Sequence, residues 1–166
     1  MATCCGPMCA LAFARSKRGK VEKVAAVKER RETKGRLDKL KSKSAWAREA
    51  QAAFNAWVRT RDAGNACISC GRHHTGQYHA GHYLSVGARP ELRFEPLNVH
   101  KQCAPCNTHL SGNVALYRIG LILKVGVAAV DWLDGPHELR HDSIDDLIAL
   151  KADYKARTKK LKETQE

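Results

Sequence analysis

Four of the seven cysteines in this 166-residue chain fall into two Cys-x-x-Cys pairs, Cys67-Ile-Ser-Cys70 and Cys103-Ala-Pro-Cys106. Each pair is a turn that presents two thiolates to one ion. Two such knuckles make a closed tetrahedral zinc site with no coordination position left open for chemistry. The same cysteines could instead form two disulfides, or never meet. However, the chain shows no signal peptide and no apolar run long enough to span a membrane, which indicates a reducing compartment where disulfides are disfavoured. The cysteines are therefore scaffold for a structural Zn²⁺. The candidates for chemistry are the polar residues that follow the first knuckle and flank the second: His79, His82, Asn98, Asn107 and His109.

The order of a Cys-x-x-Cys pair, a His closing a short strand, an Asn, and then Cys-x-x-Cys-Asn resembles the HNH (His-Me finger) nucleases. Ala80-Gly-His82-Tyr83, the Leu92-Arg-Phe94 turn, Asn98-Val-His-Lys-Gln-Cys103, Cys106-Asn107 and Ser111-Gly-Asn113 narrow this resemblance to the phage NinG (Rap) recombination nucleases. It runs from about Ser44 to about Leu133 and is weaker on either side. The fold it implies is α+β: a small ββα-metal core closed by the zinc knuckles, flanked by helices and a basic N-terminal helical arm. The activity it implies is metal-dependent endonucleolytic cleavage of branched recombination intermediates such as Holliday junctions and D-loops. It also implies a phage or prophage protein working in the bacterial cytoplasm.

Carried over position by position, the resemblance makes His82 the general base, a role suited to an imidazole that titrates near neutral pH. The alternative is a histidine that merely caps the hairpin. Asn98 joins the catalytic set in a structural capacity, its amide tying the hairpin loop so that His82 points inward. Asn107 offers a hard oxygen to the catalytic Mg²⁺ or Mn²⁺, and its residue type also suits a helix N-cap. His79 departs from the family, where an acidic second ligand generally stands three positions before the base. An imidazole there favours Mn²⁺, Ni²⁺ or Co²⁺ over Mg²⁺. His109 is the reserve ligand.

The elements that position these residues leave weaker marks. Lys and Arg total 29 against 17 Asp and Glu, a net charge of +12, which points to a polyanionic partner. No amphipathic helix with an aromatic face suggests a membrane surface. From Arg15 to Lys43 there are thirteen basic and four acidic residues and few large apolar ones, as in a solvated, partly helical arm with Gly19 and Gly35 as breaks. Arg30 and Arg31 on this arm, and Arg89, Arg93 and Lys101 near the site, are the expected contacts to double-stranded and branched DNA. Symmetric junction cleavage would call for a homodimer.

Trp46, Ala50, Ala53, Phe54 and Trp57 recur at helical spacing and indicate an amphipathic helix packed on the core. The apolar stretch after Asn113 is expected to form a helix broken near Gly120. Ser143 and Asp146 form a capping-box variant before the last helix. The boundaries that follow are 1–43 for the arm, 44–135 for the nuclease domain and 136–166 for the C-terminal helix. Cys4, Cys5 and Cys9 resemble the remnant of another knuckle and are expected to be free, reactive or disordered thiols. A rival reading is a non-catalytic zinc-ribbon protein that binds nucleic acid; His79 keeps it open.

Overall fold

The computed structural model describes residues 6–165, which divide into two compact units between Ser42 and Lys43. In the first, α1 (Pro7–Lys39) is a single helix with no buried residue. It runs unbroken through Gly19 and Gly35, a correction to the expected breaks. A glycine inside an exposed helix costs only about 1 kcal/mol relative to alanine, and the Lys, Arg and Glu around each glycine are strong helix formers. Arg30 and Arg31 are both exposed on α1, as is Cys9. Cys4 and Cys5 lie outside the described residues.

The second unit contains α2 (Lys43–Arg61), an antiparallel hairpin of β1 (Tyr78–His82) and β2 (Val99–Cys103), then α3 (Val114–Val125), α4 (Val127–Asp134) and α5 (Ile144–Gln165). It is thus a mixture of helices and one two-stranded sheet. The apolar stripe of α2 buries Trp46, Ala50, Ala53, Phe54, Trp57 and Val58. These pack with Leu147 and Tyr154 of α5, with Phe94, and with Val99 of β2. Ser143 and Asp146 cap α5 reciprocally: the Asp146 amide donates to Ser143 Oγ at 3.1 Å and the Ser143 amide donates to Asp146 Oδ2 at 2.8 Å. A second cluster joins Tyr83 and Leu92 to Tyr117, Leu121, Val130 and Leu133 of α3 and α4.

The expected break at Gly120 is absent; α3 passes through it and turns into α4 at Gly126. Gly120 serves close approach instead, since a Cβ there would stand 2.0 Å from the carbonyl oxygen of Ile68. The glycine lets α3 lie directly against the first cysteine knuckle.

Asp62, at the end of α2, joins these parts. It is 2% exposed. It accepts hydrogen bonds from Arg61 Nη2 at 2.7 Å, Lys124 Nζ at 2.9 Å and the Lys101 backbone amide at 3.1 Å. Burial alone would raise its pKa; the hydrogen bonds and positive charge of Arg61 and the hydrogen bond from Lys124 outweigh that and hold it well below the usual carboxylate range. His100 is kept neutral mainly by burial. Its Nε2–H donates to the Leu97 carbonyl at 3.1 Å, and its Nδ1 accepts from Arg61 at 3.0 Å. Asp62→Ala leaves Arg61 and Lys124 without their anion, so the second unit is expected to lose about 3–5 kcal/mol. A urea midpoint within experimental error of the parent would show that the hub contributes nothing.

Candidate functional site

The register pairs Tyr78 with Cys103, His79 with Gln102, Gly81 with His100 and His82 with Val99. Cys67 to Cys70 lies against the same end of the hairpin: the Ile68 amide donates to the Lys101 carbonyl at 3.1 Å. This brings the two knuckles together, and the four sulfurs of Cys67, Cys70, Cys103 and Cys106 all lie within 4.8 Å of one another. Sγ of Cys70 and Cys103 are 4.0 Å apart, close to the edge of about 3.8 Å that a tetrahedron with 2.3 Å Zn–S bonds requires.

The donors around the sulfurs suit thiolates. The Cys103 amide points at Cys67 Sγ at 3.3 Å, His74 Nε2 lies 3.3 Å from Cys70 Sγ, and Asn113 Nδ2 donates to Cys106 Sγ at 3.5 Å. Burial would raise the Cys67 thiol, but backbone amides of Cys70, Cys103 and Ser69 outweigh it and bring the group to about 7. Cys103 is pushed up to about 12 by burial and by the neighbouring sulfurs of Cys67 and Cys106. Crowded thiols of this kind resist ionising together unless a dication neutralises them. The donor set therefore fits a structural metal such as zinc.

Asn107 follows immediately, in a π-helical turn (Pro105–His109). It is neither the N-cap nor the first turn of α3. Ser111, Gly112 and Asn113 all have positive φ, at 48°, 88° and 45°, and this left-handed passage separates the turn from α3. The turn aims Asn107 back at the hairpin, where its Nδ2 lies 2.8 Å from His79 Nδ1. Asn107 Oδ1 lies over Gly81, where an added Cβ would be 3.0 Å from it and 2.1 Å from Gln102 Oε1. Only glycine leaves room for both amides. Gln102 donates Nε2 to Ser69 Oγ at 2.7 Å and to the Gly112 carbonyl at 2.5 Å, while its buried Oε1 has no hydrogen-bond partner among the described residues. His79 and Asn107 face a polar pocket of about 440 Å³ lined also by Asn55 and Arg59 of α2 and by Gln77, Tyr78 and Ala80.

His82 ends β1. Its Nε2 lies 3.1 Å from the carbonyl oxygen of Arg93. A carbonyl only accepts, so Nε2 carries the proton and, in the neutral ring, Nδ1 is the accepting nitrogen. Burial first, and the Arg93 charge, lower its pKa against the rise from that hydrogen bond. Asn98 is fully buried. Its Oδ1 accepts from the Leu84 amide at 2.8 Å, and its Nδ2 donates to the carbonyls of Leu84 at 2.9 Å and Leu92 at 3.2 Å. The amide thereby fixes the loop whose next residue, Arg93, holds His82. The three-residue spacing puts His79 and His82 on opposite faces of β1.

Two expected DNA contacts are turned inward. Lys101 is 8% exposed, and its ammonium donates to the carbonyls of Ala63 at 2.7 Å and Asn65 at 2.8 Å while lying 4.1 Å from the Tyr78 ring centroid. Both faces of β2 are buried, so either parity would have taken Lys101 inside. Arg89 donates to the carbonyls of Leu133 at 3.2 Å and of Gly135, clasping the end of α4, and pairs with Glu91. Arg93 is half-buried and donates Nε to Gln51 Oε1 at 2.8 Å. His109 is exposed at the end of the π-helical turn and does not line the pocket.

The comparisons with known proteins agree with this arrangement of motifs. Residues 1–166 match the family described as Bacteriophage Lambda NinG protein. The chain belongs to the NinG family. It is 43% identical over 125 residues to Protein ninG of Salmonella phage P22, covering 75% of this chain and 62% of that protein. It is 44% identical over 123 residues to Protein ninG of Escherichia phage lambda, covering 74% and 60%. The chain thus spans about three fifths of the length of these relatives. No solved structure matches it. Among the described residues no helix is long and apolar enough to cross a membrane. The motifs of this NinG chain did not reveal Asp62, Arg59 or Asn55. The available signal for Asp62 was an acid in the last turn of a helix, where the dipole disfavours it unless cations compensate.

Proposed function

We propose that this NinG-family protein is a metal-dependent DNA endonuclease of the HNH type, with the hairpin and the π-helical turn as its ββα-metal core. The supporting observation is the His79–Asn107 pair, 2.8 Å apart and opening into a polar pocket, on the hairpin that also carries the neutral His82. Cis ligands at 2.1 Å from an octahedral cation stand about 3.0 Å apart, so rotating the Asn107 amide to present Oδ1 gives a fitting pair. His79 and Asn107 would hold the cation, which when bound supplies charge that polarises a phosphodiester and stabilises the leaving 3′ oxygen.

His82 performs the proton chemistry. Its Nδ1 takes a proton from water while Nε2–H stays on the Arg93 carbonyl, and Asn98 keeps that carbonyl in place. The attacking oxygen ends on the 5′-phosphate, the P–O3′ bond breaks, and the departing 3′ oxygen takes a proton from solvent to become the 3′-hydroxyl. Branched recombination intermediates such as Holliday junctions and D-loops are the proposed substrates, with DNA held in part by the exposed Arg30 and Arg31 and by Arg93.

The lowered pKa of His82 sets the pH profile. The base must be unprotonated, so kcat/KM is expected to be flat above neutrality and to fall only as pH drops below the ordinary histidine value of about 6.5. A profile still rising between pH 7 and 9 would remove His82 from the role. The imidazole of His79 sets the metal preference: cleavage is expected to be faster in Mn²⁺, Ni²⁺ or Co²⁺ than in Mg²⁺, and His79→Asp should shift the preference toward Mg²⁺. Equal or better activity of the parent protein in Mg²⁺ alone would contradict the ligand assignment.

The placement of His79 and His82 on opposite faces of β1 favours a second reading, a zinc-stabilised module that binds nucleic acid without cutting it. Cleavage that disappears in His82→Ala while binding persists separates the two.

A further inference from the structure

Arg48, Gln51, Asn55 and Arg59 recur along α2 at intervals of three and four residues, so they share one face of the helix. Hydrogen bonds join this face to the loop beside His82. Arg93 donates Nε to Gln51 Oε1 at 2.8 Å, and Gln51 donates Nε2 to Asn55 Oδ1 at 2.8 Å. Asn55 and Arg59 then line the pocket that holds His79 and Asn107. One continuous polar ridge therefore leads from the residue that fixes His82 to the candidate cation ligands.

Most cations of this unit are already occupied. Arg61, Lys101 and Lys124 are bound to Asp62 or to carbonyls, and Arg89 clasps α4. Arg59 is exposed, and its guanidinium has no hydrogen bond or ion pair among the described residues. An exposed arginine lining the same polar pocket as a histidine and an amide matches the needs of a phosphodiester: two parallel N–H donors for two phosphate oxygens.

We propose that the Gln51–Asn55–Arg59 ridge is the track for one DNA strand and that Arg59 grips the phosphate placed at His79 and Asn107. The eight residue steps of helix from Gln51 to Arg59 rise about 12 Å, which corresponds to roughly three nucleotides at 3.4 Å each along one strand. The strand would pass from Arg93 to Arg59 across the mouth of the site. The assignment of this phosphate as the scissile one rests on the nuclease reading; the contact itself does not.

The test uses the full zinc-loaded chain. Duplex binding is measured against salt in a His82→Ala background, and cleavage is measured at saturating DNA with His82 intact. Each experiment includes Arg59→Ala, Arg59→Lys and, as a control, Lys160→Ala, which removes an exposed cation of α5. Arg59→Ala is expected to lower the slope of log K against log salt by about 0.9. It should also lower kcat by about 10- to 100-fold, the loss of one charge-assisted contact. Arg59→Lys should keep the slope yet recover only part of kcat, because an ammonium cannot bind two oxygens in parallel.

A reduced slope with unchanged kcat would overturn the clamp, by placing Arg59 on another phosphate. Arg59→Ala behaving like Lys160→Ala in both readouts would overturn the whole proposal. If the parent protein binds DNA without cutting it, the nuclease reading falls, and the slope alone decides the contact: a slope matching the control overturns it.

Discussion

Stripping the metal from the four-cysteine cluster is expected to unfold or melt most of the second unit at 25 °C. The reasons are additive. The hairpin has only two strands, and an isolated two-stranded hairpin is marginal in water. Both knuckles, the π-helical turn and the seat of α3 at Ile68 are organised around the same four sulfurs. Structural zinc contributes an apparent binding free energy of about 10–16 kcal/mol to small domains, against a total stability of about 5–15 kcal/mol for a typical domain. The α2–α5 core, with Trp46, Phe54, Trp57 and Tyr154, offsets part of that loss but does not touch the cysteines. Chelation, or Cys106→Ser, should abolish the sharp tryptophan-detected unfolding transition and release thiols to a colorimetric reagent. A transition that stays within a few degrees of the parent after metal removal would show that the cluster is not structural.

His82→Ala is expected to reduce cleavage by about 100- to 10,000-fold, the range for loss of a positioned general base, with DNA affinity unchanged. The geometry argues for a specific loss. The ring is half-buried and, among the described residues, is hydrogen-bonded through Nε2, and its neighbours Asn98 and Arg93 remain tied by their own hydrogen bonds to Leu84, Leu92 and Gln51. Truncation leaves the Arg93 carbonyl without one donor at a site water can reach, so stability should change little. The cost therefore falls on the rate. Weakening the support should give a milder version of the same loss, since the Arg93 carbonyl that selects the tautomer follows directly from a residue that Asn98 holds.

The two Cys-x-x-Cys pairs carried the metal cluster legibly, because a closed tetrahedral site needs four thiolates and the spacing of each pair forces its members together. Family membership was legible for a similar reason, in many residue types at fixed intervals. What failed to show was the direction in which side chains point. Lys101 looked like a DNA contact from its charge, yet it sits on a strand buried on both faces. Arg89 looked the same and instead closes the end of α4.

Gly19, Gly35 and Gly120 read as breaks from residue type alone, although exposure in one helix and close approach to Ile68 in another make each compatible with helix. The π-helical turn was invisible, since three consecutive left-handed residues at Ser111, Gly112 and Asn113 depend on the tertiary closure around Cys106. Asp62 stood in plain view, but only the assembled structure brings Arg61, Lys101, Lys124 and His100 to it from three elements.

The most direct test of the nuclease reading is cleavage of a labelled four-way junction beside a linear duplex of the same sequence, by the parent protein and His82→Ala, in Mg²⁺ and then in Mn²⁺. The expected result is junction cleavage by the parent alone, stronger in Mn²⁺, leaving 5′-phosphate and 3′-hydroxyl ends, with His82→Ala still bound to the DNA. Binding without cleavage in either metal, undiminished cleavage by His82→Ala, or products ending in 3′-phosphate would contradict it.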